Sequence, residues 1–103
     1  MIDGYSSGTE VSDRWLRVFL AVVAAGSFTG AGRDLGIGQP AVSHAVKQLE
    51  TALGAAVFSR ESGNVVLTDA GRRLAENVRG GFETVDRAVR SFRFEGQIGR
   101  AHV

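Results

Sequence analysis

The chain has 103 residues, 44% hydrophobic and 22% charged, which fits one small globular domain with a helix or two beyond it and excludes a second full domain. It has no cysteine, which excludes disulfides, thiolate metal sites and thiol catalysis together and fits a reducing compartment. The formal charge is only +1, yet eleven of the twelve basic residues are arginine, so the placement of charge along the chain, not its sum, must argue for any nucleic-acid partner.

Residues 1–12 are polar, show no apolar period and lack the basic start and apolar stretch of a signal peptide, so they read as a flexible leader. No run approaches the ~20 apolar residues needed to cross a bilayer. The expectation is a cytoplasmic protein that neither spans a membrane nor is exported. From Asp13 the pattern changes: Trp15, Leu16, Phe19, Leu20, Val22 and Val23 recur at helical spacing, with Ser12 or Asp13 as cap and Gly26 as stop. This predicts a first helix over 13–25. A second short helix starts near Ser27 or Phe28 and ends at Leu35-Gly36, although Gly30 and Gly32 inside it each cost roughly 1 kcal/mol relative to alanine.

Ile37-Gly38-Gln39 makes a tight turn, and Pro40 suits a first helical position because it needs no amide partner and has a fixed φ. The third helix is predicted over 40–53. Ala41, Val42, Ala45, Val46, Leu49 and Leu53 form its apolar stripe, leaving Gln39, Ser43, His44, Lys47, Gln48 and Thr51 largely off it. After Gly54, residues 56–59 and 64–67 read as two short strands joined by a turn at 61–64.

Thr68-Asp69 caps a last helix predicted to continue to about Phe94. Ala75, Val78, Phe82, Val85, Val89 and Phe92 are spaced alternately by three and four residues, an a/d seam. The seam could lie on the domain's own core, but a ~25-residue helix spans roughly 37 Å, more than so small a domain covers. Much of the seam is therefore expected to find a second copy. Residues 96–103 fit no helical period and are expected to be disordered. Back-translated as CAG ATC GGA AGA GCA CAC GTC, residues 97–103 coincide with a common sequencing-library adapter, which predicts a reading frame running from a gene into adapter and a longer natural protein.

Three helices, a tight turn before the third, and a β-hairpin after it predict a mainly α fold, a winged helix-turn-helix over 13–68 followed by a linker and dimerisation helix over 69–95. A major groove about 12 Å wide admits one helix, whose early exposed residues reach base edges. Gln39, Ser43, His44 and Lys47 are placed for this, and Ser27 or Thr29 at the start of the second helix could bind phosphate beside its amides. Catalysis is not expected. Ser43 and His44 are helix neighbours whose side chains diverge by about 100°, and neither a nucleophile elbow, a metal-binding His pair nor a phosphate loop is present. No cofactor or metal is implied.

The run Phe19-Leu20-Ala21-Val22-Val23 with Gly26-Ser27-Phe28-Thr29, then Gln39-Pro40-Ala41-Val42-Ser43, Leu49-Glu50, Leu53-Gly54, Phe58, Arg60, Leu67-Thr68 and Ala70-Gly71, resembles the amino-terminal DNA-binding region of the LysR-type transcriptional regulators, over about residues 13–94. The resemblance implies bacterial proteins that bind promoter or operator DNA as dimers or higher oligomers through antiparallel linker helices. It also implies a carboxy-terminal domain that senses a small effector, which is absent here. Gln39, Pro40 and Ser43 match the start of the family's recognition helix, His44 and Lys47 its variable positions, and Arg60 the arginine that opens the wing. Three positions depart: Gly38 replaces a serine, Ala45 a frequent glutamine, and Gly63 a basic wing tip. They predict weaker DNA binding than is usual in the family. The alternative function is an interaction module that still dimerises but no longer holds DNA.

Overall fold

The computed structural model describes residues 10–61 and 64–102, with the side chains of residues 60, 64 and 94–102 outside the description. Along the chain come α1 (Asp13–Ala25), α2 (Phe28–Leu35), α3 (Gln39–Leu53), β1 (Phe58–Glu61), β2 (Asn64–Leu67) and α4 (Asp69–His102). The first nine residues of the expected leader lie outside the described residues. Its end does not behave as a leader: Val11 packs against the core, and the Ser12 hydroxyl accepts from the Arg14 amide at 3.1 Å, capping α1.

The core is built from one face of each of the first three helices. Val18, Phe19 and Val22 of α1, Phe28 and Ala31 of α2, and Val42, Ala45, Val46 and Leu49 of α3 are buried together with Val57 and Ala75. The three helices end on the left-handed glycines Gly26, Gly36 and Gly54, which release the chain without steric cost. Gly32, counted in the sequence only as a cost to α2, is required by packing. A Cβ there would lie 2.7 Å from the Ile37 carbonyl, across the turn that brings α3 against α2.

Two element boundaries differ from expectation. α3 starts at Gln39 rather than Pro40; amides in the first turn have no intrahelical acceptor, so proline is as acceptable one position further in. β1 occupies Phe58–Glu61 rather than 56–59, because the backbone of Ala56 and Val57 is bonded elsewhere. The Val57 amide donates to Glu50 Oε2 at 2.9 Å, the Thr68 hydroxyl donates to the Ala56 carbonyl at 2.6 Å, and the Thr68 amide donates to the Val57 carbonyl at 3.1 Å. The antiparallel hairpin pairs Phe58 with Leu67 and Arg60 with Val65. Phe58 sits between Phe19 and Phe28, with ring centroids 5.3 and 5.8 Å away, and so fastens the wing to α1 and α2. Ser62 and Gly63, in the expected turn, are outside the described residues.

Thr68 also starts α4, its hydroxyl accepting from the Gly71 amide at 3.0 Å. The helix was expected to stop near Phe94, with 96–103 disordered; it runs instead through Gly96 to His102. Gly96 and Gly99 each weaken the helix by about 1 kcal/mol but leave its hydrogen-bond ladder intact, and no proline follows to break it. Among the described residues no single helix is long and apolar enough to cross a membrane.

Candidate nucleic-acid interface

Helix α3 divides into two sides. Val42, Ala45, Val46 and Leu49 face the core, whereas Gln39, Pro40, His44, Lys47 and Thr51 are exposed and Ser43 is half-buried beside them. At about 100° per residue the side chains of Gln39, Ser43, Lys47 and His44 fall within about 140° of arc, a single outward face. Ala41, assigned to the apolar stripe from the sequence, is exposed at its edge.

On this face the Gln39 amide nitrogen donates to the Ser43 hydroxyl at 2.8 Å, one helical turn on. That bond uses one of two amide hydrogens and leaves the carbonyl oxygen open, so the adenine-pairing edge of glutamine stays available while its conformation is held. The Gln48 amide nitrogen lies 3.4 Å from His44 Nε2 and donates to it when the imidazole carries its hydrogen on Nδ1. Lys47 is exposed beside a shallow groove between α3 and the wing, lined by Phe28, Ser43, Val46, Glu50 and Phe58.

Ser27 caps α2 by accepting from the Gly30 amide at 2.9 Å, and its own hydroxyl hydrogen remains available to an acceptor. Thr29, in the same turn, is exposed. The amino end of α2 thus presents amides, a hydroxyl and the positive end of a helix dipole, a combination that suits phosphate. The side chain of Arg60 lies outside the described residues. Of the other arginines near the wing, Arg72 pairs with Asp69 and Arg73 is exposed.

The three departures have different structural weights. Gly38 caps α3 without a side-chain hydrogen bond. Ala45 is only 4% exposed and belongs to the core, so its small size serves packing and removes no outward contact. Gly63 is outside the described residues.

The expected seam on α4 is split. Ala75 is buried in the chain's own core, and Phe82 is half-buried with the Arg17 guanidinium 4.0 Å from its ring centroid. Val78 is half-buried, while Val85, Val89 and Phe92 are 52%, 44% and 78% exposed.

Sequence reasoning missed two residues that shape the interface. Glu50 ties the end of α3 to the wing through the Val57 amide, and Arg17 reaches from α1 to Phe82 and Asp86 on α4. Glu50 stands in a Leu-Glu motif that has no local partner, and the partners of Arg17 are far away in the chain, so helical periodicity carries no signal of either.

A three-helix core with α3 laid open beside a β-hairpin defines a winged helix-turn-helix DNA-binding domain. The sequence profile of the bacterial regulatory helix-turn-helix protein, lysR family, matches residues 14–72, and the chain belongs to that family. It is 50% identical over 64 residues to the RuBisCO operon transcriptional regulator of Allochromatium vinosum, covering 62% of this chain and 21% of that protein. It is 43% identical over 74 residues to the HTH-type transcriptional activator AmpR of Rhodobacter capsulatus, covering 72% and 26%. Among solved structures, the BenM_DBD/benA site 1 DNA complex matches with a TM-score of 0.75 at 34% identity, covering 80% of this chain and 92% of that one. The chain spans about a quarter of the length of the curated relatives it matches.

Proposed function

We propose that this chain reads promoter or operator DNA for a LysR-type transcriptional regulator, with α3 in the major groove. The observation that carries this is the division of α3, whose apolar side is consumed by the core while the face bearing Gln39, Ser43, His44 and Lys47 is left to a partner. Gln39 reads a base edge, Ser43 holds it in place, His44 and Lys47 contact bases or phosphates, and Pro40 fixes the entry to the helix. Ser27 and Thr29 at the start of α2, with Arg60 on the wing, grip phosphate. Contacts of the second kind position the domain, and those of the first kind give sequence preference.

Two chains pair through α4, with Val85, Val89 and Phe92 supplying the open apolar surface. The BenM domain in its DNA complex and the regulators named above support the DNA-reading role, and they are regulators rather than catalysts. The protein acts as a binding protein in the cytoplasm, on the nucleoid. A small-molecule effector would act through a carboxy-terminal domain outside these residues.

The test compares Gln39→Ala with Lys47→Ala by fluorescence anisotropy on duplexes varied one base pair at a time. Gln39→Ala is expected to cost about 1–3 kcal/mol and to relax preference at one position. Lys47→Ala is expected to weaken all duplexes equally and to lower the salt slope by about one. An equal loss on every sequence for Gln39→Ala assigns that residue to the backbone, and no loss for either variant removes α3 from the groove.

A further inference from the structure

We propose that Arg17 is a positioning residue that braces α4 against α1 across the Gly80-Gly81 pair, and thereby sets the separation of half-sites that two paired chains can read. The inference rests on the DNA-reading and pairing roles proposed above.

Three observations along α4 lead to it. The helix is first anchored near its start, where Gly71 runs so close to the Val57 carbonyl that no Cβ fits, and where Ala75 is buried in the core. It then reaches Gly80 and Gly81, both exposed with nothing within 4 Å of an added Cβ, so no packing from the rest of the chain stiffens the helix there, and the side-chain hydrogen bond at the pair is local, from the Thr84 hydroxyl to the Gly80 carbonyl at 3.0 Å. Directly after this weak point Arg17 holds it again. The guanidinium lies 4.0 Å from the Phe82 ring centroid, and its Nη2 is 3.6 Å from Asp86 Oδ1. Beyond Asp86, no hydrogen bond, ion pair or ring contact among the described residues joins α4 to the remainder of the chain, and Val89 and Phe92 are exposed. Arg17 is thus the last hold on α4 before its free apolar stretch.

The geometry gives this hold leverage. From Gly80 to Phe92 the helix extends about 18 Å, so a bend of about 10° at the glycine pair moves the far end by about 3 Å. That displacement is close to the rise of one base pair, about 3.4 Å, and two chains related by symmetry both contribute. Binding two half-sites at once strengthens affinity only when the linkage fits their separation, so a loose α4 costs the preference for one spacing rather than the contact with each half-site. The guanidinium is suited to the task, because a flat cation can lie on the Phe82 ring and reach a carboxylate from its edge, which the point charge of lysine does less well.

The experiment uses the full chain and a half-site selected by the wild type from a random duplex pool. Binding is measured on a single half-site and on paired half-sites stepped by one base pair, with sedimentation and thermal unfolding on the same samples. The wild type is expected to favour one spacing by about tenfold or more. Arg17→Ala is expected to keep its dimer and its single-half-site affinity while the spacing preference flattens to within about threefold. Adding Gly80→Ala and Gly81→Ala in that background is expected to restore the preference, since alanine stiffens the helix and meets no neighbour.

An unchanged spacing profile for Arg17→Ala overturns the brace. So does a flattened profile that comes with lost dimers or lost single-half-site affinity, or one that the alanine pair fails to restore. A wild-type chain that selects no half-site overturns the proposed function itself, a failure visible before any variant is made.

Discussion

Gly71 lies where the first turn of α4 crosses the entry to the hairpin, and a Cβ at this position would run into the Val57 carbonyl and the Leu67 side chain. The carbonyl is backbone and already accepts from the Thr68 amide, so it has little freedom to yield. Gly71→Ala is therefore expected to destabilise the fold by about 1–3 kcal/mol, measured from urea midpoints at constant slope. A loss below about 0.5 kcal/mol would show that the two segments can separate at no cost. Glu50 and Thr68 complete the same junction. Together they satisfy the amides of Val57 and Phe58 and the carbonyls of Ala56 and Val57 where the chain leaves α3 for the hairpin. The wing is held in place by side chains that the sequence offers no reason to pair.

Among the elements, α4 carries the most consequence. Its apolar residues follow one three-and-four spacing, yet Ala75 and Phe82 are covered by the chain itself while Val85, Val89 and Phe92 are not. Val89→Glu is expected to turn dimers into monomers in a sedimentation experiment while far-ultraviolet dichroism stays near that of the wild type, because Val89 is 44% exposed and lies outside the chain's own core. A dimer that survives the substitution places the partner elsewhere. Phe82→Glu is a poorer probe, since it also removes the stacking with Arg17.

The same helix shows where sequence reading reaches its limit. Caps and stops such as Ser12, Gly26, Gly36 and Gly54 are local signals, and they placed α1 and α2 at their observed bounds. The outward face of α3 was legible for the same reason, because its periodicity resides within the helix. Periodicity reports that a face is apolar but not which molecule covers it, so Phe82 and Phe92 look alike in sequence and differ in the structure. The start of β1 was misplaced because Ala56 and Val57 owe their backbone bonds to Glu50 and Thr68, which lie in other elements.

At the scale of the whole molecule, the proposed DNA reading and pairing fall to separate parts, the three-helix domain with its hairpin and the long helix α4. The domain presents α3 and the amino end of α2, and α4 carries an apolar surface away from it. A net charge of +1 provides no general attraction to DNA, so the proposed binding rests on the local groups of α3, α2 and the wing rather than on overall charge. Few contacts still leave a clear signature, because each neutralised phosphate contributes about −0.9 to the dependence of log affinity on log salt.

The most direct measurement is fluorescence anisotropy of the full chain against a pool of short duplexes at two salt concentrations, with sedimentation alongside. A sequence-reading domain predicts a steep loss of affinity with salt and a subset of duplexes standing above the pool. A dimer with no measurable affinity at low salt would contradict it, and would leave a module that pairs without touching DNA.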